Sequence, residues 1–305
     1  MTRRTFLGTA GAVSAHAARM GGAQAAPAAA TRFQIGCMTM PYSAFPFERA
    51  LQGIAGAGCR YVGLGGSHVD SGGARKPALA ADAPPAAARA LAVRCREAGL
   101  EPAMIFAAAG VDSADAIKAH TQRIQQAAAA GIPFLVTFGR TTRGNYETWI
   151  RNLKELAPIA AGEGVQLALK PHGGNTGTGR DCMKIIADVG SPAVKICYDA
   201  GNVLDYEKVD PLPDIQACWR DVACFAVKDH RNTPKNQDCG PGLGEIDHYK
   251  LLMPVLRTGL AIPLICENIF APLAPRPTDP EGVDRLVARA REFLDTVVAG
   301  LQTVA

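Results

Sequence analysis

Eight short apolar runs alternate with eight segments of helical pattern along this chain, and that alternation restricts its fold more than any other feature. The runs predict strands at Phe33–Met40, Tyr61–Leu64, Ala103–Ala107, Phe134–Phe138, Gln166–Lys170, Val194–Tyr198, Cys224–Lys228 and Pro263–Glu267. Between and after them, helices are expected at Phe47–Ala57, Pro85–Ala98, Ser113–Ala130, Tyr146–Gly162, Gly179–Val189, Pro213–Trp219, Ile246–Leu256 and Gly282–Val298. Strands joined by helical crossovers run parallel, and eight such repeats are the number that closes on itself. The chain therefore reads as α/β, a single (β/α)8 TIM barrel. An open doubly wound sheet would want a glycine-rich phosphate turn after its first strand, and Gly36-Cys37-Met38-Thr39 does not supply one. At 305 residues and 48% hydrophobic, the chain fills such a barrel as one domain.

The N-terminus sets the compartment. Arg3-Arg4 precede an apolar run from Phe6 to Ala15 and then Ala23-Gln24-Ala25, an A-x-A exit site. This arrangement resembles a twin-arginine export signal. Residues 1–30 are thus expected to be signal peptide and linker, residues 31–305 the barrel, and the mature protein to be periplasmic or otherwise exported. No other stretch is long and apolar enough to span a bilayer.

Three of the 32 basic residues lie in the signal segment, which leaves 29 against 28 acidic ones and a net charge near +1. Nucleic acid is not an implied partner. The nine cysteines show no C-x-x-C pair, and Cys37, Cys197, Cys224 and Cys266 lie in or beside apolar runs, so no disulfide framework is expected. A homo-oligomer is compatible with the sequence.

Residues at and just beyond the C-terminal ends of barrel strands face the site. Here they are unusually polar. The fifth strand ends Lys170-Pro171-His172-Gly173-Gly174-Asn175, the sixth Tyr198-Asp199-Ala200-Gly201-Asn202, the seventh Lys228-Asp229-His230 and the eighth Cys266-Glu267-Asn268. Strand alternation puts Lys170 and His172 on one side. Asp199 and Glu267 add two carboxylates, while Lys228 and Asp229 are placed either at the site or as a pair with each other. Asn202, Lys228, His230, His68 after the second strand and Arg140 after the fourth are candidate substrate-binding groups. Gly240-Pro241-Gly242-Leu243-Gly244 reads as a tight loop, either at the active site or purely structural.

The strings QLALKPHGG, VKICYDAGNV, CFAVKDH, GPGLGEID and PLICEN, in that order along the C-terminal half, resemble the sugar phosphate isomerase/epimerase family, the xylose-isomerase-like barrels. That resemblance implies a divalent metal held by a Glu, an Asp, a His and a Glu from the last four strands, with the glutamates moving a proton next to a carbonyl. Asp199 and Glu267 match two of these ligands. Lys170 stands in place of the first Glu, and Ala226 in place of the His.

Two arrangements follow. The Lys170 ammonium could replace the metal between Asp199 and Glu267 and polarise a substrate oxygen. Alternatively, His172, Asp199 and Glu267, with His230 near them, could hold Mn, Mg or Zn in a displaced site. In both, the expected chemistry is proton abstraction by Glu267 or His172 next to the carbonyl of a free, unphosphorylated sugar or keto-sugar, because sugar phosphates are retained in the cytoplasm. Epimerisation or isomerisation results. A lyase or hydratase acting on 3-keto-glycosides and a non-catalytic sugar-binding barrel are the alternatives. A Schiff base at Lys170 is disfavoured, since two carboxylates would keep its amine protonated.

Overall fold

The structure is a computed structural model that describes residues 29–70 and 72–303. The twin-arginine segment and its exit site lie outside the described residues. Eight strands form the barrel: β1 Arg32–Met38, β2 Tyr61–Leu64, β3 Glu101–Phe106, β4 Phe134–Thr137, β5 Gln166–Leu169, β6 Val194–Tyr198, β7 Val222–Val227 and β8 Ala261–Cys266. All neighbours pair in parallel. The ring closes where β1 meets β8, from Arg32 opposite Ala261 to Cys37 opposite Cys266.

Short β-branched and apolar runs form these strands because both of their faces are buried. Outward residues pack under the surrounding helices, and inward ones fill the barrel with Met38, Met104, Phe134, Val136, Ala168, Cys197, Cys224 and Ile265. Gly63 of β2 is needed for this filling, because a Cβ there would stand 2.1 Å from the Met38 sulfur. All nine cysteines are free and buried, Cys59, Cys95, Cys182, Cys218 and Cys239 as well as the four that lie in or beside apolar runs.

The helices are α1 Phe47–Gly56, α2 Pro85–Glu97, α3 Ala116–Ala130, α4 Tyr146–Gly162, α5 Gly179–Val189, α6 Ala200–Glu207, α7 Pro211–Cys218, α8 His248–Leu252 and α9 Pro280–Gln302. Helix α6 was not anticipated. Its sequence AGNVLDYE carries Gly and Asn and is only two turns long, but Asp199 caps it by accepting from the Asn202 N–H at 2.9 Å. The expected Ile246–Leu256 helix shortens to α8 and a 3-10 turn at Met253–Val255, because Pro254 lacks an amide donor. Two antiparallel hairpins were also missed, Ser67–Val69 with Arg75–Pro77 and Asp229–Arg231 with Gln237–Cys239. Their three-residue polar strands carry no hydrophobic alternation to read.

Trp149 is buried against the barrel wall, and Trp219 lies in a turn that leads into the start of β7, the opposite end from the strand C-termini. Neither tryptophan offers a stacking platform at the mouth. None of the described helices is long and apolar enough to cross a membrane.

Candidate active site

The strands end one residue earlier than the apolar runs suggest, so Lys170, Lys228 and Glu267 are the first residues beyond β5, β7 and β8. That position turns their side chains into the mouth. The Lys170 ammonium lies 2.5 Å from Glu267 Oε2 and 3.0 Å from Asp199 Oδ2, with Lys170 2% and Asp199 0% exposed. Phe106 and Phe138 flank the ammonium with ring centres at 5.5 and 5.7 Å, so its charge is screened from water on that side.

Burial works against each of these charges. Even so, Glu267 and Asp199 together hold the Lys170 amine above its ordinary value, and it stays an ammonium. A Schiff base needs the neutral amine, so this environment opposes one. Asp199 is likewise kept below the ordinary carboxylate range, where the ammoniums of Lys170 and Lys228 outweigh its burial. Glu267 behaves differently: burial raises its pKa and the nearby lysines offset that only in part. Its carboxylate lines a cavity of about 380 Å³ together with Lys228, Asp238 and Asn268. One oxygen takes the Lys170 proton donor, and the other has no protein donor among the described residues.

His172 is half-buried between the rings of Phe138 and Tyr206. Its Nδ1 lies 3.2 Å from the Gly139 carbonyl. A carbonyl only accepts, so Nδ1 carries the proton and Nε2 presents a lone pair. Burial and then the Lys170 charge lower the imidazole pKa and keep it neutral. The loop that carries it passes close to the one after β4: Gly173 and Gly174 have φ of 72° and 61°, and a Cβ on Gly174 would stand 2.4 Å from the Arg140 carbonyl oxygen.

The structure gathers Lys170, Asp199 and Glu267 at one point and sets His172 on the same strand end as Lys170. Lys228 lines the same cavity as Glu267, and the structure gives Asn202, His230, His68 and Arg140 other surroundings. Asn202 is 1% exposed and donates its amide to the Pro171 carbonyl at 2.7 Å, tying the loop after β6 to the loop after β5. His230 is fully buried, with Nδ1 2.9 Å from Asp238 and Nε2 2.8 Å from Asn236. His68 is buried with its ring edge-on to Phe47, and Arg140 is exposed.

Lys228 does not pair with Asp229. Its ammonium lies 2.5 Å from Asp238, which the second hairpin brings back over the mouth. Adjacent strand residues point to opposite sides, so Asp229 turns away and accepts from the N–H groups of His230, Gly242 and Ile246. It thereby fixes the Gly240–Gly244 loop. Removing this buried acceptor strands three amide donors, and Asp229→Ala is expected to cost about 3 kcal/mol, read as a lower urea midpoint. An unchanged midpoint would mean the loop holds its shape without Asp229. Asp238, Asn236 and the flanking phenylalanines escaped sequence reasoning, since a polar hairpin and aromatic strand ends look like ordinary loop and core.

The metal that the resemblance implies does not fit between Asp199 and Glu267, because the Lys170 ammonium already contacts both carboxylates and would repel a second cation there. His172, Asp199 and Glu267 also do not bring three ligand atoms within 4.8 Å of one another. Among the described residues, the group that brings three ligand atoms within 4.8 Å of one another is Asp205, His230 and Asp238, which could hold a metal ion. Asp238 also serves the Lys228 ammonium.

The chain matches the xylose isomerase-like TIM barrel family over residues 51–293. No curated protein sequence matches it. Among solved structures it is similar to a xylose isomerase domain protein from Planctomyces limnophilus, at 17% identity and a TM-score of 0.68 over 91% of this chain and 99% of that one. It is also similar to L-ribulose 3-epimerase, at 18% identity and a TM-score of 0.67 over 88% of this chain and 95% of that one. A third is a xylose isomerase-like TIM barrel protein from Mycobacterium smegmatis in complex with magnesium, at 15% identity and a TM-score of 0.67 over 90% of this chain and 98% of that one. At such identities the likeness is one of fold.

Proposed function

The chain belongs to the xylose isomerase-like TIM barrel family, and on that premise we propose that it is a sugar isomerase or epimerase acting on a free, unphosphorylated keto-sugar. The observation that carries this reading is the buried Lys170 ammonium, held 2.5 Å from Glu267 and 3.0 Å from Asp199 beside an open cavity.

Glu267 takes the proton from the carbon next to the carbonyl with its unpartnered oxygen. Lys170 donates to the oxygen on which charge develops, a role in which a preorganised cation in a water-poor site is most effective. Asp199 orients Lys170 and keeps it charged. The protonated Glu267 returns its proton to the neighbouring carbon while His172 Nε2 takes the substrate's hydroxyl proton and passes it to the oxygen held by Lys170, which yields the isomer. A solvent proton delivered to the opposite face, with Glu267 losing its own to solvent, yields the epimer. Expulsion of a group at the β position from the same enediolate would make the protein a lyase, and the product separates the two. The similarity to L-ribulose 3-epimerase supports the sugar class, and the twin-arginine-like N-terminus supports an exported protein that meets free sugars.

One of the similar structures holds magnesium. Asp205, His230 and Asp238 are the residues that would hold an ion here, and no step passes through it. The test is deuterium incorporation from D2O into a panel of free ketoses, before and after chelation. Exchange that survives the chelator is expected. Exchange abolished by it would assign the electrophile to a metal, and no exchange on any ketose would remove the proton-transfer mechanism.

A further inference from the structure

The mouth of the barrel has a second recess. A cavity of about 310 Å³ beside β2 and β3 is lined by Leu64, Leu79, Ile105, Phe106 and Ala107, and also by Arg123 of α3. Gly66 and Ser67 line both this recess and the cavity that contains Glu267, so the two adjoin. Phe106 links them chemically as well, since its ring lies 5.5 Å from the Lys170 ammonium.

Arg123 is only 6% exposed, yet no carboxylate among the described residues compensates it. Both terminal nitrogens reach the Leu79 carbonyl at 3.5 Å, the outer limit of a hydrogen bond, and Nε has no partner among the described residues. A buried guanidinium is ordinarily paired. Lys170, in the same barrel, has two carboxylates. Burial alone acts on Arg123 and pushes its pKa below the ordinary arginine value. An unpaired buried cation on the wall of an open recess is completed by an anion from outside, and a planar guanidinium suits a carboxylate. Apart from Ser67, where the recess meets the Glu267 cavity, the remaining side chains on its walls are apolar, so the body that carries the carboxylate is mainly apolar too.

We infer that this recess is a substrate subsite that binds an apolar, carboxylate-bearing group attached to the sugar, with Arg123 as its anchor. The inference rests on the mouth being a sugar site, as proposed above, because one ligand must bridge the two adjoining cavities. It makes the preferred substrate a keto-sugar linked to an aromatic or medium-chain acid whose carboxylate stays free, the bare ketose being accepted but bound more weakly.

Calorimetric titration of the full chain with benzoate tests the subsite without any turnover. Saturable one-to-one binding is expected, with the neutral isostere benzamide and the Arg123→Gln protein each weaker by about ten- to hundredfold. Should Arg123→Gln fail to fold by circular dichroism, Ala78→Trp fills the recess from its loop side, leaves the guanidinium in place, and should abolish benzoate binding. Absence of saturable binding, equal affinity for benzamide, or unchanged affinity in the folded variants would overturn the subsite. Benzoate binding in a protein that exchanges no ketose would remove the sugar chemistry and leave the anion site standing; ketose exchange without benzoate binding would do the reverse.

Discussion

Lys170→Met is expected to lower deuterium exchange at the substrate carbon by about a hundred- to thousandfold and to destabilise the protein by about 3–5 kcal/mol. Methionine keeps the length and apolar stem of lysine, so packing against Phe106 and Phe138 is largely retained. What is lost is the ammonium that Asp199 and Glu267 share. Two carboxylates are then stranded side by side, one of them fully buried, and their repulsion adds to the lost attraction. The activity loss follows separately, because the other ammonium beside Glu267, that of Lys228, is already committed to Asp238. Initial exchange rates and urea midpoints measure the two effects. The double substitution Lys170→Met with Glu267→Gln should regain part of the stability and none of the exchange. Full exchange in a destabilised Lys170→Met protein would reduce the triad to a structural ion cluster.

Much of this was legible in the sequence because it lies on regular elements. The period of apolar runs gave eight parallel strands, and strand ends in a barrel point to one rim, so Lys170, Asp199 and Glu267 could be brought together without coordinates. What was hidden depends on contacts between segments that have no local signature. Asp238 reaches Lys228 and His230 only because a polar hairpin folds back, and neither QDC nor DHR announces a strand. The separate fates of Lys228 and Asp229 turn on one residue of strand boundary, which apolar content does not fix. Arg123 is the strongest case. On α3 it occupies a position that sequence alone would assign to solvent, and its burial arises because the segment Leu79–Ala83 lies over the helix, pinned by Gln126 to three carbonyls.

Glu267→Gln should abolish exchange almost as completely, by about a hundred- to ten-thousandfold, while leaving the fold near wild-type stability. The amide keeps the shape of the carboxylate and still offers Lys170 a carbonyl acceptor, and Asp199 still balances the ammonium. Only the base is removed. The pH profile identifies it. Burial raises the Glu267 pKa more than Lys170 lowers it, so exchange in the native protein should climb with pH through a midpoint above the roughly 4.3 of a free glutamate. The sign follows from the base form being the deprotonated one. That limb should vanish in Glu267→Gln. His172 provides the contrast: burial and the Lys170 charge move its pKa down rather than up. If His172 were instead the abstracting base, Glu267→Gln would keep most of its exchange, and His172→Gln, which preserves a donor toward the Gly139 carbonyl, would lose it.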